Sequence, residues 1–440
     1  MIKVFLLRIM IFNIAFTFGQ SKTFFNSKND KIKIPFELSN NLIIVDAVFN
    51  NIPLKMIVDT GADSNLLFSY PVEDTIRVDR DKRLFIKGIG TSQSIEAFLS
   101  SGNQFTIKEY LDNNFEILIV PNLEINLVNK LGIPINGILG YSFFKDYLVE
   151  INYERELIFL HANKEKAIRK RAKKFKKSSV EVENFKPYLQ LKTALDKQEY
   201  QLKLLFDTGL SDGLWLFESK TISSDRYYIQ DYLGRGLSGD IKGKRSRVNK
   251  ISFSDIEVNE ALVSYPDSLF FKQISLVKGR NGSLGGDIIK RFNWFLDYEN
   301  KVFYFKNNKL LDAPFEYNMS GMEVQHSGSE LIQKDLPIKK FVSVDKEISY
   351  VVDRNETLQN FRFELKPTFE VCAIREASPA DMAGLKVGDK IIKINNKLAY
   401  NLNLQKFTTL FQSEAGKKIK ITVERDGKVL NFEFLLEKIL

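Results

Sequence analysis

One cysteine and two histidines in 440 residues remove whole classes of chemistry. No intramolecular disulfide can form, and neither an all-cysteine zinc site nor a finger with paired cysteines can be built. Catalysis with an imidazole base would rest on His161 or His326 alone. Long apolar runs are missing too; outside the extreme N-terminus nothing approaches the roughly 20 residues of a membrane span. A hydrophobic content of 44% with 12% aromatics excludes a chain that is disordered or collagen-like throughout. At roughly 150 residues per domain the length suggests about three domains. Carboxylates, hydroxyls and glycines are plentiful, so the expected chemistry is carboxylate chemistry, with no metal and no cofactor.

The net charge of +9 invites a nucleic-acid reading, but its distribution argues against one. KEKAIRKRAKKFKK (164–177) holds nine Lys or Arg against one Glu, a local +8 of that total. The excess therefore belongs to one segment, not to a domain face. It reads as a solvated basic linker, with a membrane-surface or anionic-polymer contact as the other reading.

The start reads as an export signal (1–19). Lys3 precedes an apolar run from Val4 to Phe18 that is interrupted by Arg8 and Asn13, and Thr17 and Gly19 take the small-residue positions before Gln20. Richness in Lys, Asn, Ile and Phe fits an AT-rich bacterial genome, so the expected location is periplasmic or secreted, without a stable membrane span.

A repeat with a long period organises the first three hundred residues. PLKMIVDTGADSNLLF (53–68) resembles YQLKLLFDTGLSDGLWLF (200–217), with Asp59 matching Asp207. INGILGYSFFKDYLVEINYERELIF (135–159) resembles RNGSLGGDIIKRFNWFLDYENKVFY (280–304), with Asn136 matching Asn281 and Tyr153 matching Tyr298. Between these blocks GIG (88–90) matches GRG (234–236). Three blocks in one order mean one duplicated domain, with the basic run at the seam. Each copy alternates like strands: Leu42–Asn50 turns at Asn50-Asn51 into Pro53–Val58, and Tyr188–Leu195 precedes Tyr200–Phe206. Helical patterning is confined to short pieces such as Ser142–Tyr147 and Asp287–Phe292. Each copy is thus expected to be an all-β barrel or sandwich.

A single Asp-Thr-Gly means little in a chain of this length. Two, each after an apolar strand and each followed by Asn-Gly-x-Leu-Gly, make a constellation. Glycine permits a sharp turn where a side chain would block a second loop. The threonine hydroxyl can bond across to the opposing loop. Two such loops meeting at a pseudo-two-fold axis bring their carboxylates to within about 3 Å, where one keeps a proton and the other acts as base. A water between them can then be activated against a peptide carbonyl.

At these residues the chain resembles aspartic proteases of the retropepsin/pepsin type, over about residues 35–310. The resemblance implies a mainly β protein with two retropepsin-like β-barrel lobes related by a pseudo-two-fold: lobe 1 (20–163), the linker (164–177) and lobe 2 (178–310). It implies Asp59 and Asp207 as the catalytic pair, with Thr60, Gly61, Thr208 and Gly209 supporting the active loops. ILG (138–140) and SLG (283–285) stand where the family has a hydrophobic-hydrophobic-Gly element, Ser283 being a polar departure. The flap candidates are Gly88, Ile89 and Gly90 in one copy and Gly234 and Gly236 in the other, glycine-rich enough to open and close. The residue after each triplet, often Ser or Thr in the family, is Ala62 or Leu210. Losing a hydroxyl donor to the charged form should raise both carboxyl pKa values and move the working pH towards mild acid or neutral.

A connector (311–365) leads to a third unit (366–440). SPADMAGLKVGDKIIKINNK (378–397) resembles the core signature of PDZ domains of the bacterial protease-associated kind, and implies a small α/β module. Such a module adds a peptide strand to its own sheet edge and takes a chain end on loop N–H groups. No Gly occurs between Gly328 and Gly384, which counts against carboxylate capture. Cys372, Trp215, Trp294 and Phe295 read as core, and His161 and His326 have no partner visible in the sequence. The expected function is an exported, monomeric aspartic endopeptidase acting on polypeptides, with the PDZ-like domain binding substrate or a peptide or protein partner. The alternatives are a non-catalytic peptide-binding scaffold and an anionic-polymer binder acting through 164–177.

Overall fold

The computed structural model describes residues 30–68, 82–86, 88, 94–121, 135–196, 198–223, 227–236, 239–271, 276–336, 338–344, 347–353 and 360–440, with backbone alone over 335–360. The export-signal segment 1–19, Ile89 and Gly90 lie outside them.

The chain is mainly β. In lobe 1, alternating apolar residues drive Leu42–Phe49 and Ile52–Val58 into a hairpin whose turn residues Asn50 and Asn51 take φ 46° and 70°, as the sequence leads one to expect of Asn-Asn. Ile52–Val58 pairs in parallel with Gly137–Leu139, which lies antiparallel to Leu66–Leu67. The sheet continues through Tyr110–Ile119 and Ile95–Ile107 to Lys82–Ile86. Phe49 pairs with Phe105, so Ile95–Ile107 also meets Leu42–Phe49 and the sheet closes on itself as a barrel.

Lobe 2 repeats the centre of this arrangement. Gln198–Phe206 pairs in parallel with Arg280–Leu284, and Leu214–Leu216 lies antiparallel to the latter. Leu214–Leu216 runs parallel to Leu262–Pro266, as Leu66–Leu67 does to Tyr110–Ile119. The hairpin Ile229–Gly236/Gly239–Arg247 extends this sheet at one end.

A third sheet joins the copies. Its order is Lys31–Pro35, Leu157–His161, Leu148–Asn152, Phe292–Asp297, Val302–Asn307, Lys176–Ser179. The central antiparallel pair, with Leu148 opposite Asp297 and Ile151 opposite Trp294, comes from matching segments of the repeat. Trp294 and Phe295 are fully buried there, and Trp215, in the lobe 2 sheet, is nearly so.

The basic run is not a free tether. Lys164–Arg171 is a helix whose Asn163 side chain accepts from Lys166 N (2.9 Å), and Lys176–Ser179 is an edge strand of the joining sheet. Ala167 and Ala172 bury against Leu148, Phe295 and Tyr304 while the cations stay at the rim. His161 has a partner too: its Nε2 lies 2.8 Å from Glu150 Oε2, and Arg171 donates to both Glu150 oxygens at 2.7 and 2.6 Å. Burial opposes ionisation of Glu150, but these bonds outweigh it and hold the carboxyl below its usual range.

The C-terminal unit begins earlier than its sequence signature. Met322–Leu336, assigned above to the connector, is the edge strand of a sheet running on through Asn360–Ile374, Lys390–Ile394, Lys418–Arg425 and Lys428–Leu435. Ser378 caps the helix Pro379–Met382, and the helix Leu404–Phe411 packs Leu404, Phe407 and Phe411 into the core. The turn Asp426-Gly427 adopts φ 51° and 72°, the mirror-image turn such a dipeptide favours.

Candidate active site

Each Asp-Thr-Gly stands at the exit of a strand gripped from one side. Asp59 N donates to Leu139 O and Asp207 N to Leu284 O, both at 2.9 Å. Behind the loops, Tyr141 N donates to Ala62 O (2.9 Å) and Gly286 N to Leu210 O (2.7 Å), so the short helices Tyr141–Phe144 and Gly286–Ile289 brace them from below.

The threonines interlock the two loops. Thr60 Oγ1 donates to Phe206 O (2.6 Å) and accepts from Thr208 N (3.1 Å). Thr208 Oγ1 donates to Val58 O (2.7 Å) and accepts from Thr60 N (3.0 Å). Both side chains are buried, so all four bonds form away from water, where an unmade one costs about 1–3 kcal/mol. The glycines matter for a different reason. A Cβ on Gly61 would lie 2.7 Å from Asp207 Oδ1, and one on Gly209 would collide with the Asp59 carboxyl. Each glycine N–H instead turns back to its own aspartate, at 2.7 Å for Gly61 and 3.1 Å for Gly209.

The carboxyls of Asp59 and Asp207 therefore face each other across the axis, both half-buried. Burial first, then repulsion from Asp207, pushes Asp59 up to about 7. Asp207 is raised as well, again by burial, with the Arg280 guanidinium, the Gly209 N–H and Lys186 pulling the other way. The upward shift was expected from the missing hydroxyls at Ala62 and Leu210; burial is the largest cause found.

The dyad lies on the floor of a cleft of about 1020 Å³. Gly88, Gly234 and Gly236 all line it, placing flap candidates from both copies on the same cavity. Gly234, at φ 127°, sits at a register shift in its hairpin. The same cavity continues to Leu404, Phe407, Thr408 and Phe411 on the C-terminal helix and to Glu323 and Val324 on the edge strand. The loop before that strand does contain a glycine, Gly321 (φ 75°), ahead of the glycine-free stretch between Gly328 and Gly384. Its N–H and that of Ser320 are already donated to Asn318 Oδ1, at 3.2 and 3.0 Å.

Several residues on this cleft were invisible to sequence reasoning. Arg245 bonds Asp212 at 3.0 Å and Asp231 at 2.8 Å, and Arg375 of the C-terminal unit lies 3.6 Å from Asp231. Burial opposes the charge on Arg245, but the two carboxylates outweigh it and hold the guanidinium above its usual pKa. Trp215 Nε1 and Ser264 Oγ both donate to Asp212 Oδ2 at 2.8 Å. A chain of buried charges thus links the second triplet loop to the C-terminal unit. Lys186 and Arg280 line the cleft as well. Only the odd placement of an arginine before an Asn-Gly, where the first copy has Ile135, hinted at any of them. Among the described residues no three His, Cys, Asp or Glu gather as a metal site, and no helix is long and apolar enough to cross a membrane.

Comparison with known proteins agrees with this geometry in two places. Residues 45–143 match the aspartyl protease family model and residues 370–425 the PDZ domain model. The chain thus carries an aspartyl protease domain and a PDZ domain. No curated protein matches the chain. Among solved structures, an aspartic proteinase from Irpex lacteus aligns with 64% of this chain and 99% of its own, at 9% identity and a TM-score of 0.42.

Proposed function

We propose that this protein is an exported aspartic endopeptidase in which Asp59 and Asp207 activate one water against a peptide bond. The observation that carries the reading is the pair of carboxyls brought face to face at the meeting of two interlocked Asp-Thr-Gly loops. Burial raises both, so the pair holds one proton over a wide range of mild acidity. The ionised member takes a proton from water as it attacks the carbonyl carbon. The protonated member donates to the carbonyl oxygen and stabilises the tetrahedral intermediate, and the roles then reverse to protonate the leaving amine. The residues present can do this work without a cofactor.

The PDZ domain assists by holding substrate. Its helix Leu404–Phe411 and edge strand open on the cavity that contains the dyad, so a polypeptide added along Met322–Leu336 continues towards the site of cleavage. Because the loop donors of Ser320 and Gly321 are taken up by Asn318, an internal segment suits this groove better than a chain end.

Incubating the full-length protein with a complex peptide mixture from pH 3 to 7.5, and reading new termini by mass spectrometry, tests the reading. New termini that vanish in both Asp59→Asn and Asp207→Asn support it. A folded wild type that cuts nothing at any pH turns the assignment to a peptide-binding scaffold.

A further inference from the structure

The two walls of the cleft are related by the pseudo-two-fold, so positions can be compared pair by pair. Ile44 stands opposite Ile57 in one hairpin and Tyr188 opposite Leu205 in the other, which makes Leu42 and Lys186, two residues earlier, counterparts. Ile57 pairs with Ile138, and Leu205 with Ser283. The Oδ1 atoms of Asn136 and Asn281 accept from Lys55 N and Lys203 N, both at 2.8 Å, so the preceding residues, Ile135 and Arg280, correspond. Lobe 1 thus presents Leu42 and Ile138 on the cleft, with Ile135 buried behind them in the same apolar cluster. Lobe 2 presents Lys186, Arg280 and Ser283.

These two cations differ from the others on the cleft. Arg245 is paired with Asp212 and Asp231, Lys290 with Asp287, and Arg235 with Asp240. Lys186 and Arg280 line the same cavity and, among the described residues, make no ion pair. Arg280 is held in place: Nε donates to Gly282 O (3.1 Å), Nη2 to Ser283 Oγ (2.7 Å), and the guanidinium lies over the Phe217 ring, 5.3 Å from its centre. Tyr188 lies beside it. A guanidinium has five N–H groups in a fixed fork, and these bonds leave donors on Arg280 for another acceptor. Burial pulls its pKa below the usual value and Asp207 opposes that pull, so it lies within electrostatic reach of the dyad. A half-buried cation without a carboxylate partner is a costly arrangement that an incoming anion relieves.

Resting on the protease reading above, we infer that Arg280 and Lys186 form a subsite for a carboxylate side chain of the substrate. The enzyme then selects peptides with Asp or Glu at one of the positions beside the scissile bond. The apolar wall of Leu42, Ile57 and Ile138 takes a hydrophobic side chain on the other side of the bond. Recognition requires the substrate carboxylate to be ionised, which for Glu begins above about pH 4.3. Asp59 keeps its proton up to about 7. Both conditions hold together in mild acid.

The test uses paired peptides that differ only in Glu or Gln at each position near the cut, with full-length protein at about pH 5.5–6. The Glu peptide at the correct position should be cleaved with a kcat/KM at least about tenfold higher. The double variant Arg280→Met/Lys186→Met should bring that ratio to about one. Arg280→Lys should retain part of the preference, and Arg280→Glu should shift it towards peptides carrying Lys. If the two cations serve only to tune the dyad, the double variant moves the pH profile while the Glu/Gln ratio of the wild type is already about one, and the subsite is refuted. Binding of the same peptides to the Asp59→Asn chain, by fluorescence anisotropy, separates the two claims. Tighter binding of the Glu peptide with no cleavage by the wild type upholds the subsite and defeats the protease reading. Equal binding of Glu and Gln peptides overturns the subsite even if cleavage is robust.

Discussion

Lobe 1 and lobe 2 share a frame and differ in what they place on it. The frame is the parallel strand pair, the triplet, and the Asn side chain that receives the backbone N–H of Lys55 or Lys203. Its centre is the same in both because the triplets meet at the axis, where Thr60 and Thr208 exchange hydrogen bonds and Gly61 and Gly209 each admit the opposite carboxyl. Away from the axis the constraint lapses. Lobe 1 closes into a barrel around an apolar wall. Lobe 2 carries Asp212, Arg245 and Asp231, which connect it to Arg375 of the PDZ domain. The lesson is that shared chemistry fixes the residues at the axis, while the walls are free to become specific.

The largest effect should follow from breaking the shared frame. Gly61→Ala and Gly209→Ala each force a Cβ into the opposite carboxyl, and both should lower cleavage by at least about 100-fold, since a misplacement of 1 Å can cost that much. Equal losses in the two variants support the symmetry of the frame; a tolerated alanine in either lobe breaks it. Next comes the lobe-specific network. Arg245→Met strips Asp212 of its cation, leaves Asp231 only the more distant Arg375, and should cost about 3–5 kcal/mol in urea unfolding. A cost near zero would mean that the two carboxylates reach water.

The smallest effect concerns the dyad's proton. Burial, with help from Asp207, makes Asp59 hold its proton more tightly in the folded chain than in the unfolded one. Its contribution to stability is complete below about pH 4, the unfolded value, and is lost as pH rises towards about 7. Melting temperature should therefore fall across that window, and the fall should flatten in Asp59→Asn. An unchanged slope in the variant would place the proton elsewhere.

Much of this was legible in the sequence because the duplication wrote it twice. The triplets, the Asn-Gly-x-Leu-Gly elements and the Asn50-Asn51 turn are local patterns with local causes. The joining sheet was not legible, since it pairs Leu148–Asn152 with Phe292–Asp297 across more than a hundred residues. The basic run misled because charge density hides the buried face of Ala167 and Ala172. The edge strand Met322–Leu336 is not legible either, because it lies far along the chain from the PDZ signature it serves. Arg245, Arg280 and Lys186 become meaningful only when the fold sets them beside the cleft.

The most direct measurement is the pH dependence of kcat/KM for one cleaved peptide, in wild type and in the two aspartate variants. A buried pair sharing one proton predicts activity through mild acid with a falling limb near pH 7, and none in Asp59→Asn or Asp207→Asn. A profile peaking below about 3.5, under the ordinary aspartate value, would contradict the account.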